Sequence, residues 1–275
     1  MPGARGAPPL ARLLHRPALF WPLPVCETRD VEPLEYQLMD AVEDGMWWYR
    51  ALHRRVLDAL GEPNLPLPGP LLDAGCGTGG FLARLKQRWP QVTATGLEYL
   101  PAAAARARIK SGCPVVAASV HRLPFATASF AAVTSMDVLC HALVEPALAL
   151  AEAHRVLAPG GRLVLNLPAF MWLHSAHDIR VHNARRFTAG QARRLLRQAG
   201  FQDVKTHYWN ALLLPLMILQ RKIRSAAPED RSDVAAFPPW QNATLLGVTE
   251  LERHCARLGF PFPAGGSVLA VATRP

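Results

Sequence analysis

One stretch constrains this chain more than any other: Leu71-Leu72-Asp73-Ala74-Gly75-Cys76-Gly77-Thr78-Gly79-Gly80. Leu71–Ala74 reads as a short strand, and Phe81–Arg88, beyond the glycines, reads as a helix. Glycines let the backbone turn tightly and approach a ligand with no Cβ in the way. A strand, a glycine turn and a helix in that order open an α/β unit, with a ligand site at the strand's carboxyl end. Gly75, Gly77 and Gly80 also satisfy the G-x-G-x-x-G spacing of dinucleotide sites, a weak pattern by itself.

The rest of the chain continues that alternation. Val92–Leu97 predicts a second strand, Pro101–Lys110 a helix, Val115–Ala118 a third strand and Ala131–Met136 a fourth. A helix follows from about Glu145 to Leu157, then a turn at Pro159-Gly160-Gly161 and a fifth strand at Arg162–Leu167. Thr188–Ala199 predicts a helix ending at Gly200, Val204–Tyr208 a sixth strand and Ser267–Thr273 a last one. This order predicts an α/β fold with a mostly parallel sheet covered on both faces. Upstream, residues 31–60 predict helix, with Leu34, Leu38, Ala41 and Val42 on one face and Leu52, Val56, Leu57 and Leu60 on another. The expected organisation is a disordered tail over 1–30, a helical cap and Pro-rich linker over 31–70, and a core over 71–275 with a helical insertion at 209–262.

Composition excludes several classes. With 50% hydrophobic and 19% charged residues over 275 positions, the chain is not intrinsically disordered. No run of about 18 uncharged apolar residues predicts a spanning helix. Cys26, Cys76, Cys113, Cys140 and Cys255 form no C-x-x-C pair, which predicts reduced thiols and a cytoplasmic setting. The net charge of +9 suits an anionic partner, but no helix-turn-helix or zinc-finger spacing accompanies it, so nucleic acid is not expected.

Two ligand classes fit the glycine turn. A dinucleotide would lay its pyrophosphate there, yet Asp73, two residues before Gly75, would repel it. S-adenosylmethionine carries an ammonium and a sulfonium, which a carboxylate suits. Glu98, ending the second strand, can accept both hydroxyls of a ribose in either class. An NAD-type Rossmann oxidoreductase therefore stays open beside an S-adenosylmethionine protein.

The glycine segment resembles motif I of the class I S-adenosylmethionine-dependent methyltransferases. The resemblance continues through His121-Arg122-Leu123-Pro124-Phe125 with Ser129-Phe130, through Ser135-Met136-Asp137-Val138-Leu139-Cys140-His141, and through Arg155–Leu165, together covering about residues 71–168. The Trp47-Trp48-Tyr49 segment and His177–Phe187 resemble a bacterial subgroup with no assigned substrate. The resemblance implies a Rossmann-like seven-stranded sheet with its last strand antiparallel, and S-adenosylmethionine as cofactor. It implies Asp73, Gly75, Cys76, Gly77 and Gly79 at the methionine moiety, Glu98 at the ribose, Tyr99 against the adenine, Ser119 and Val120 at the adenine edge, and Met136 at the strand-four exit. Ser119 and Ala131 stand where the family usually has aspartates. A neutral Ser119 hydrogen bond would be weaker than a charge-assisted one, so a non-catalytic cofactor-binding module is the other alternative.

Methyl transfer needs positioning and desolvation more than a catalytic dyad, and a base only where the nucleophile holds its proton. Asp137 and His141, four apart at the strand-four exit, are candidates. His174, His177, Asp178 and His182 follow the fifth strand, with His177 a base that Asp178 could orient and His174 and His182 substrate contacts. These are zinc-compatible side chains, read here as a polar loop without metal. Arg185 and Arg186 suit a phosphate or carboxylate on the substrate. Trp47, Trp48 and Tyr49 either lid the pocket or anchor the first helices. The expected acceptor is an oxygen or nitrogen nucleophile on a small or lipid-linked metabolite. Leu212–Leu219 followed by Arg221-Lys222-Ile223-Arg224 is apolar, then basic, which suits either a packed cap helix or peripheral contact with the inner membrane.

Overall fold

The computed structural model describes residues 33–61, 68–224 and 237–275, so the expectation for 1–30 lies outside the described residues. Seven strands form one sheet: β1 (Leu71–Ala74), β2 (Ala94–Glu98), β3 (Val115–Ala117), β4 (Phe130–Met136), β5 (Leu157–Pro168), β6 (Gln202–Trp209) and β7 (Ser267–Thr273). Their order is β3-β2-β1-β4-β5-β7-β6, with β7 antiparallel to both neighbours and the other pairs parallel. The predicted α/β class, strand number and antiparallel last strand hold.

Side-chain alternation divides the core into two layers. Leu71, Ala132, Val164 and Leu269 face one layer, and Leu72, Val133, Leu163, Leu165 and Val268 the other. Strands covered on both faces read as continuous apolar runs, as Leu163-Val164-Leu165 does. The second layer is closed by α5 (Pro146–Val156) and α7 (Ala189–Gln198), which contribute Leu150, Ala153, Ala192 and Leu196. The first is closed by α2 (Trp47–Leu60) and α3 (Gly80–Arg88). Helix α4 (Pro101–Ser111) packs against α3, β2 and β3.

Two elements differ from expectation. β5 begins five residues early, because Leu157 pairs with Phe130 while Gly160 N–H donates to Arg274 O and Arg274 N–H to Gly161 O, holding the Pro-Gly-Gly turn at the sheet edge. The single predicted N-terminal helix is two, α1 (Pro33–Val42) and α2, separated by a turn through Gly45. Leu52, Val56, Leu57 and Leu60 are buried as expected, and Arg162 donates to the last carbonyls of α2 at Ala59 and Leu60. On α1, Leu38 and Val42 of the predicted face are half-buried and Ala41 is exposed, while Tyr36, Met39 and, just after the helix, Glu43, spaced three and four apart, make further contacts with the glycine turn and Glu98.

The insertion supplies α8 (Leu214–Arg224) and α9 (Pro239–Arg257). Helix α9 lies along α2 through a buried ion pair, Arg55–Glu252 at 3.2 Å. Arg55 also donates to Thr249 O at 2.7 Å and stacks 4.7 Å over Trp209. The Glu252 carboxylate accepts backbone N–H bonds from Asn210, Ala211 and Leu212, fixing the exit of β6. Among the described residues no helix is long and apolar enough to cross a membrane.

Candidate functional site

Strands β1, β4, β5 and β6 run in one direction, so Ala74, Met136, Pro168 and Trp209 end at one edge of the sheet. In a parallel α/β sheet that edge collects ligands. The β1–α3 turn opens there. Gly75 has φ +89°, and a Cβ on it would stand 2.3 Å from Val138 Cγ2, so glycine is required both for conformation and for space. Gly79 has φ +92°, and a Cβ on it would stand 2.8 Å from the Cα of Ala107 on α4.

Two carboxylates flank the turn. Asp73 is fully buried; its Oδ1 accepts from Thr134 Oγ1 at 2.8 Å, and its Oδ2 has no hydrogen-bond partner. Burial, with Glu98 and Glu43 adding repulsion, pushes this carboxyl up to about 7. An unpartnered buried carboxylate oxygen is costly by itself and fits a cationic group. Glu98 accepts N–H bonds from Gly77 at 2.9 Å, Tyr99 at 2.9 Å and Leu100 at 3.2 Å, so it is aimed at the glycine turn. Tyr99 is exposed beside it, and Ser119 uses its hydroxyl to accept from His121 N–H at 3.2 Å. Val120 lines a small apolar recess with Ala74, Ser135 and Val138. Cys76 is buried, its thiol pushed far up by desolvation, and Met136 is half-buried at the end of β4.

Helix α1 covers the turn. Tyr36 hydroxyl donates to Glu98 Oε1 at 3.3 Å, and Met39 Cε lies 2.9 Å from where a Gly77 Cβ would be. Glu43 accepts from Thr78 Oγ1 and from Lys110 Nζ, the latter at 2.6 Å. Lys110 also pairs with Asp40 at 3.1 Å and Asp44 at 3.0 Å, clamping α1 to α4. Tyr36, Met39 and Glu43 escaped the sequence reading because the face was sought among aliphatic residues; their own spacing was the available signal.

At the strand-four exit, Asp137 sits at φ +54° and does not share a helical face with His141, as its spacing suggested. Its carboxylate turns inward and accepts from Asn166 Nδ2 at 2.9 Å. Asn166 Oδ1 in turn accepts from Trp209 Nε1 at 2.8 Å, so a buried chain of polar groups crosses β4, β5 and β6. Desolvation pushes Asp137 up to about 7, against the pull of the Asn166 bond and of Arg186. Burial and the neighbouring His182 lower His141, leaving it neutral near pH 7. Asn166 was missed, although a lone amide inside Leu165-Asn166-Leu167 breaks an otherwise apolar strand.

The loop after β5 is organised differently from the expectation. Asp178 is engaged on both oxygens: it caps the short helix α6 (Ala176–Arg180) by accepting from Ser175, and holds Arg186 through two bonds of 3.0 and 2.9 Å. The Arg186 pair is buried and its third contact is Ala169 O, so this arginine is committed to the fold rather than to an anion. Arg185 donates to His141 O at 2.6 Å and Val144 O at 3.0 Å, tying the loop to the strand-four exit. His174 is exposed with Nε2 3.0 Å from Asn183 O, while His177 and His182 are half-buried on α6 and just after it. Trp47 is buried against Phe237, and Trp48 packs on Trp209 at 6.1 Å and on Tyr49 at 5.0 Å, so this trio anchors α2 rather than forming an open lid.

Residues 72–165 match a family model described as a methyltransferase domain. The chain is 40% identical over 103 residues to a demethylmenaquinone methyltransferase of Deinococcus radiodurans, covering 36% of this chain and 42% of that protein. It is 37% identical over 121 residues to a malonyl-[acyl-carrier protein] O-methyltransferase of Dechloromonas aromatica, covering 42% and 43%. It thus spans less than half the length of these curated relatives. An S-adenosylmethionine-dependent methyltransferase structure from Thermotoga maritima aligns over 88% of this chain and 96% of that one, with TM-score 0.55 and 20% identity. Geranyl diphosphate methyltransferase bound to its cofactor aligns over 82% and 85%, with TM-score 0.54 and 20% identity. At these identities the structures show a shared fold.

Proposed function

We propose that this chain, a class I methyltransferase by its family match and its fold, transfers a methyl group from S-adenosylmethionine to an oxygen or nitrogen nucleophile of a small or lipid-linked metabolite. The observation that carries the reading is Asp73: a buried carboxylate with an unpartnered oxygen, at the mouth of a glycine turn that Glu98 faces from the next strand. That pair suits an ammonium and a ribose; a pyrophosphate beside Asp73 would meet a like charge, which disfavours the NAD-type alternative. The cofactor, when bound, supplies a methyl carbon already activated by its sulfonium. Asp73 and the turn from Gly75 to Gly79 would hold its amino-acid end, Glu98 its ribose, and Tyr99, Ser119 and Val120 its adenine.

The residues of the acceptor side then have separate tasks. Asp137, with its carboxyl raised to about 7 and steered by Asn166, can accept a proton at Oδ2 from a hydroxyl or amine near neutral pH. His141, neutral there, offers an acceptor nitrogen or a second base, and His177 with His174 and His182 stands on the loop beside it. Met136 and Arg185, at the strand-four exit and tied to it, close the surroundings and exclude water. Relatives and neighbours named for a quinone, an acyl-carrier-protein conjugate and geranyl diphosphate support an acceptor with a lipid or carrier portion. Action in the cytoplasm, with peripheral contact at the inner membrane, belongs to the same reading.

Calorimetric titration with S-adenosylmethionine, S-adenosylhomocysteine and NAD tests it. Micromolar binding of the first two, lost in Asp73→Ala, is the expected result and would lead to an acceptor screen with labelled methyl donor. Binding of NAD alone would overturn the assignment; cofactor binding with no transfer to any quinone, acyl or isoprenoid acceptor would favour the non-catalytic binding module.

A further inference from the structure

The edge that carries the site also carries an apolar rim. Leu213, just before α8, is buried, and α8 rests Met217 on Gly266 and Asn210, 3.4 Å from its amide nitrogen. Its opposite side is Leu212, Pro215, Leu216 and Leu219, three and four residues apart and all exposed: 44% for Leu212, 41% for Leu216 and 55% for Leu219. A second element adds to the rim. Phe170, two residues after β5, stacks on Tyr208 at 5.0 Å and on Trp172 at 5.4 Å, and Trp172 is 60% exposed. Tyr208 is two residues before the Asn210 exit that leads into α8, so Trp172 and the α8 strip stand on the same edge.

Charge identifies what would cover this rim. Helix α8 holds no aspartate or glutamate, and Arg221, Lys222 and Arg224 fall in its last turn; the next acids in sequence are Glu229 and Asp230. The one acid of the loop around Trp172, Asp178, is neutralised by Arg186. A second protein surface needs no net sign, whereas an apolar strip continued by cations, with a tryptophan at its border, suits the headgroup–acyl boundary of an acidic bilayer. We propose that α8 and Trp172 form a docking surface for an anionic lipid bilayer. The carboxyl ends of β4, β5 and β6 then face the lipid, so a lipid-linked molecule reaches Asp137 without crossing bulk water. The surface rests on the proposed function, whose peripheral membrane contact it specifies; vesicle binding is read without methyl transfer, so failure of the surface and failure of that reading are distinguishable.

The test is co-sedimentation of the full chain with phosphatidylglycerol vesicles and, separately, phosphatidylcholine vesicles. The full chain should pellet with the first at low salt and be largely released at about 0.5 M salt, where the Debye length falls to a few ångströms. Leu216→Asp/Leu219→Asp should lower the bound fraction on the order of tenfold, because two side chains meant for the acyl boundary become charged. Trp172→Ala, on a different element, should lower it in the same direction, and circular dichroism of both variants should match the parent. Binding that the two variants leave unchanged, equal binding to phosphatidylcholine, or self-association of the parent without vesicle binding would each overturn the proposal.

Discussion

Replacing Asp73 by asparagine separates what this buried acid costs the fold from what it does for a ligand. In the structure its carboxyl is raised to about 7 from an ordinary 3.8, chiefly by desolvation. An acid whose folded value is raised binds its proton more tightly in the folded state, so stability falls as pH rises from about 4 to about 7 and stays low above that. Between about pH 5 and about pH 8 the loss works out at roughly 3 kcal/mol, which in a domain this size corresponds to roughly 6–12 °C in Tm. Asparagine keeps an oxygen for Thr134 and never ionises. The difference in Tm between Asp73→Asn and the parent should therefore widen by that amount as pH is raised, in the absence of ligand. S-adenosylmethionine should reverse the sign: its ammonium favours the ionised acid, so the parent binds it about tenfold more tightly near pH 8 than near pH 6 and takes up the ligand with proton release. Scanning calorimetry across this range, and titration in two buffers of different ionisation enthalpy, measure both. Parallel Tm profiles for the two proteins, with cofactor affinity the same in each, would refute the reasoning.

Three further substitutions probe the supports around the site. Trp209→Phe removes the Nε1 donor to Asn166 Oδ1, and urea melts should show a loss of about 1–3 kcal/mol; an unchanged midpoint would mean that the polar chain is not closed in solution. Arg55→Met leaves Glu252 buried without its cation, at an expected cost of about 3 kcal/mol, since three backbone N–H groups still hold the carboxylate; no change in stability would show that those amides suffice. Lys110→Met frees α1 from α4, so amide exchange over 36–43 should quicken by about tenfold while α2 keeps its protection, and equal rates in both proteins would count against the clamp.

Much of this was readable beforehand because it is local. A strand, its glycine turn and the helix beyond are set by neighbours in sequence, and a doubly covered strand such as Leu163–Leu165 shows itself as an apolar run. The buried carboxylates Asp73 and Glu98 beside the glycine turn were legible for the same reason: each ends or nearly ends a strand. What sequence spacing handled poorly were partners brought together by the fold. Asp178 lies next to His177 in the chain, yet Arg186, eight residues on, takes both its oxygens, because a buried guanidinium needs a bidentate carboxylate more than an imidazole needs an orienting one. Asp137 found Asn166 across a strand pair rather than His141 along the chain. The contacts of Tyr36, Met39 and Glu43 went unrecognised because they seal a polar loop, where a tyrosine, a methionine and a glutamate serve as well as leucines.

The place of β7 has a consequence for how the chain is made. It lies between β5 and β6, so β6 is hydrogen-bonded to the sheet through β7 alone. During synthesis β6 emerges well before β7, with α8 and α9 still to come. Until β7 leaves the ribosome, β6 is a strand without a neighbour, and Trp209 cannot reach its lasting position beside Asn166. The half of the sheet from β3 to β5 can assemble as it appears, while the part formed by β6 and β7 closes only as a late, long-range step, the slow kind in which unpaired strand edges are exposed to association. Arrest of translation between β6 and β7 should therefore yield a protease-resistant fragment ending near β5.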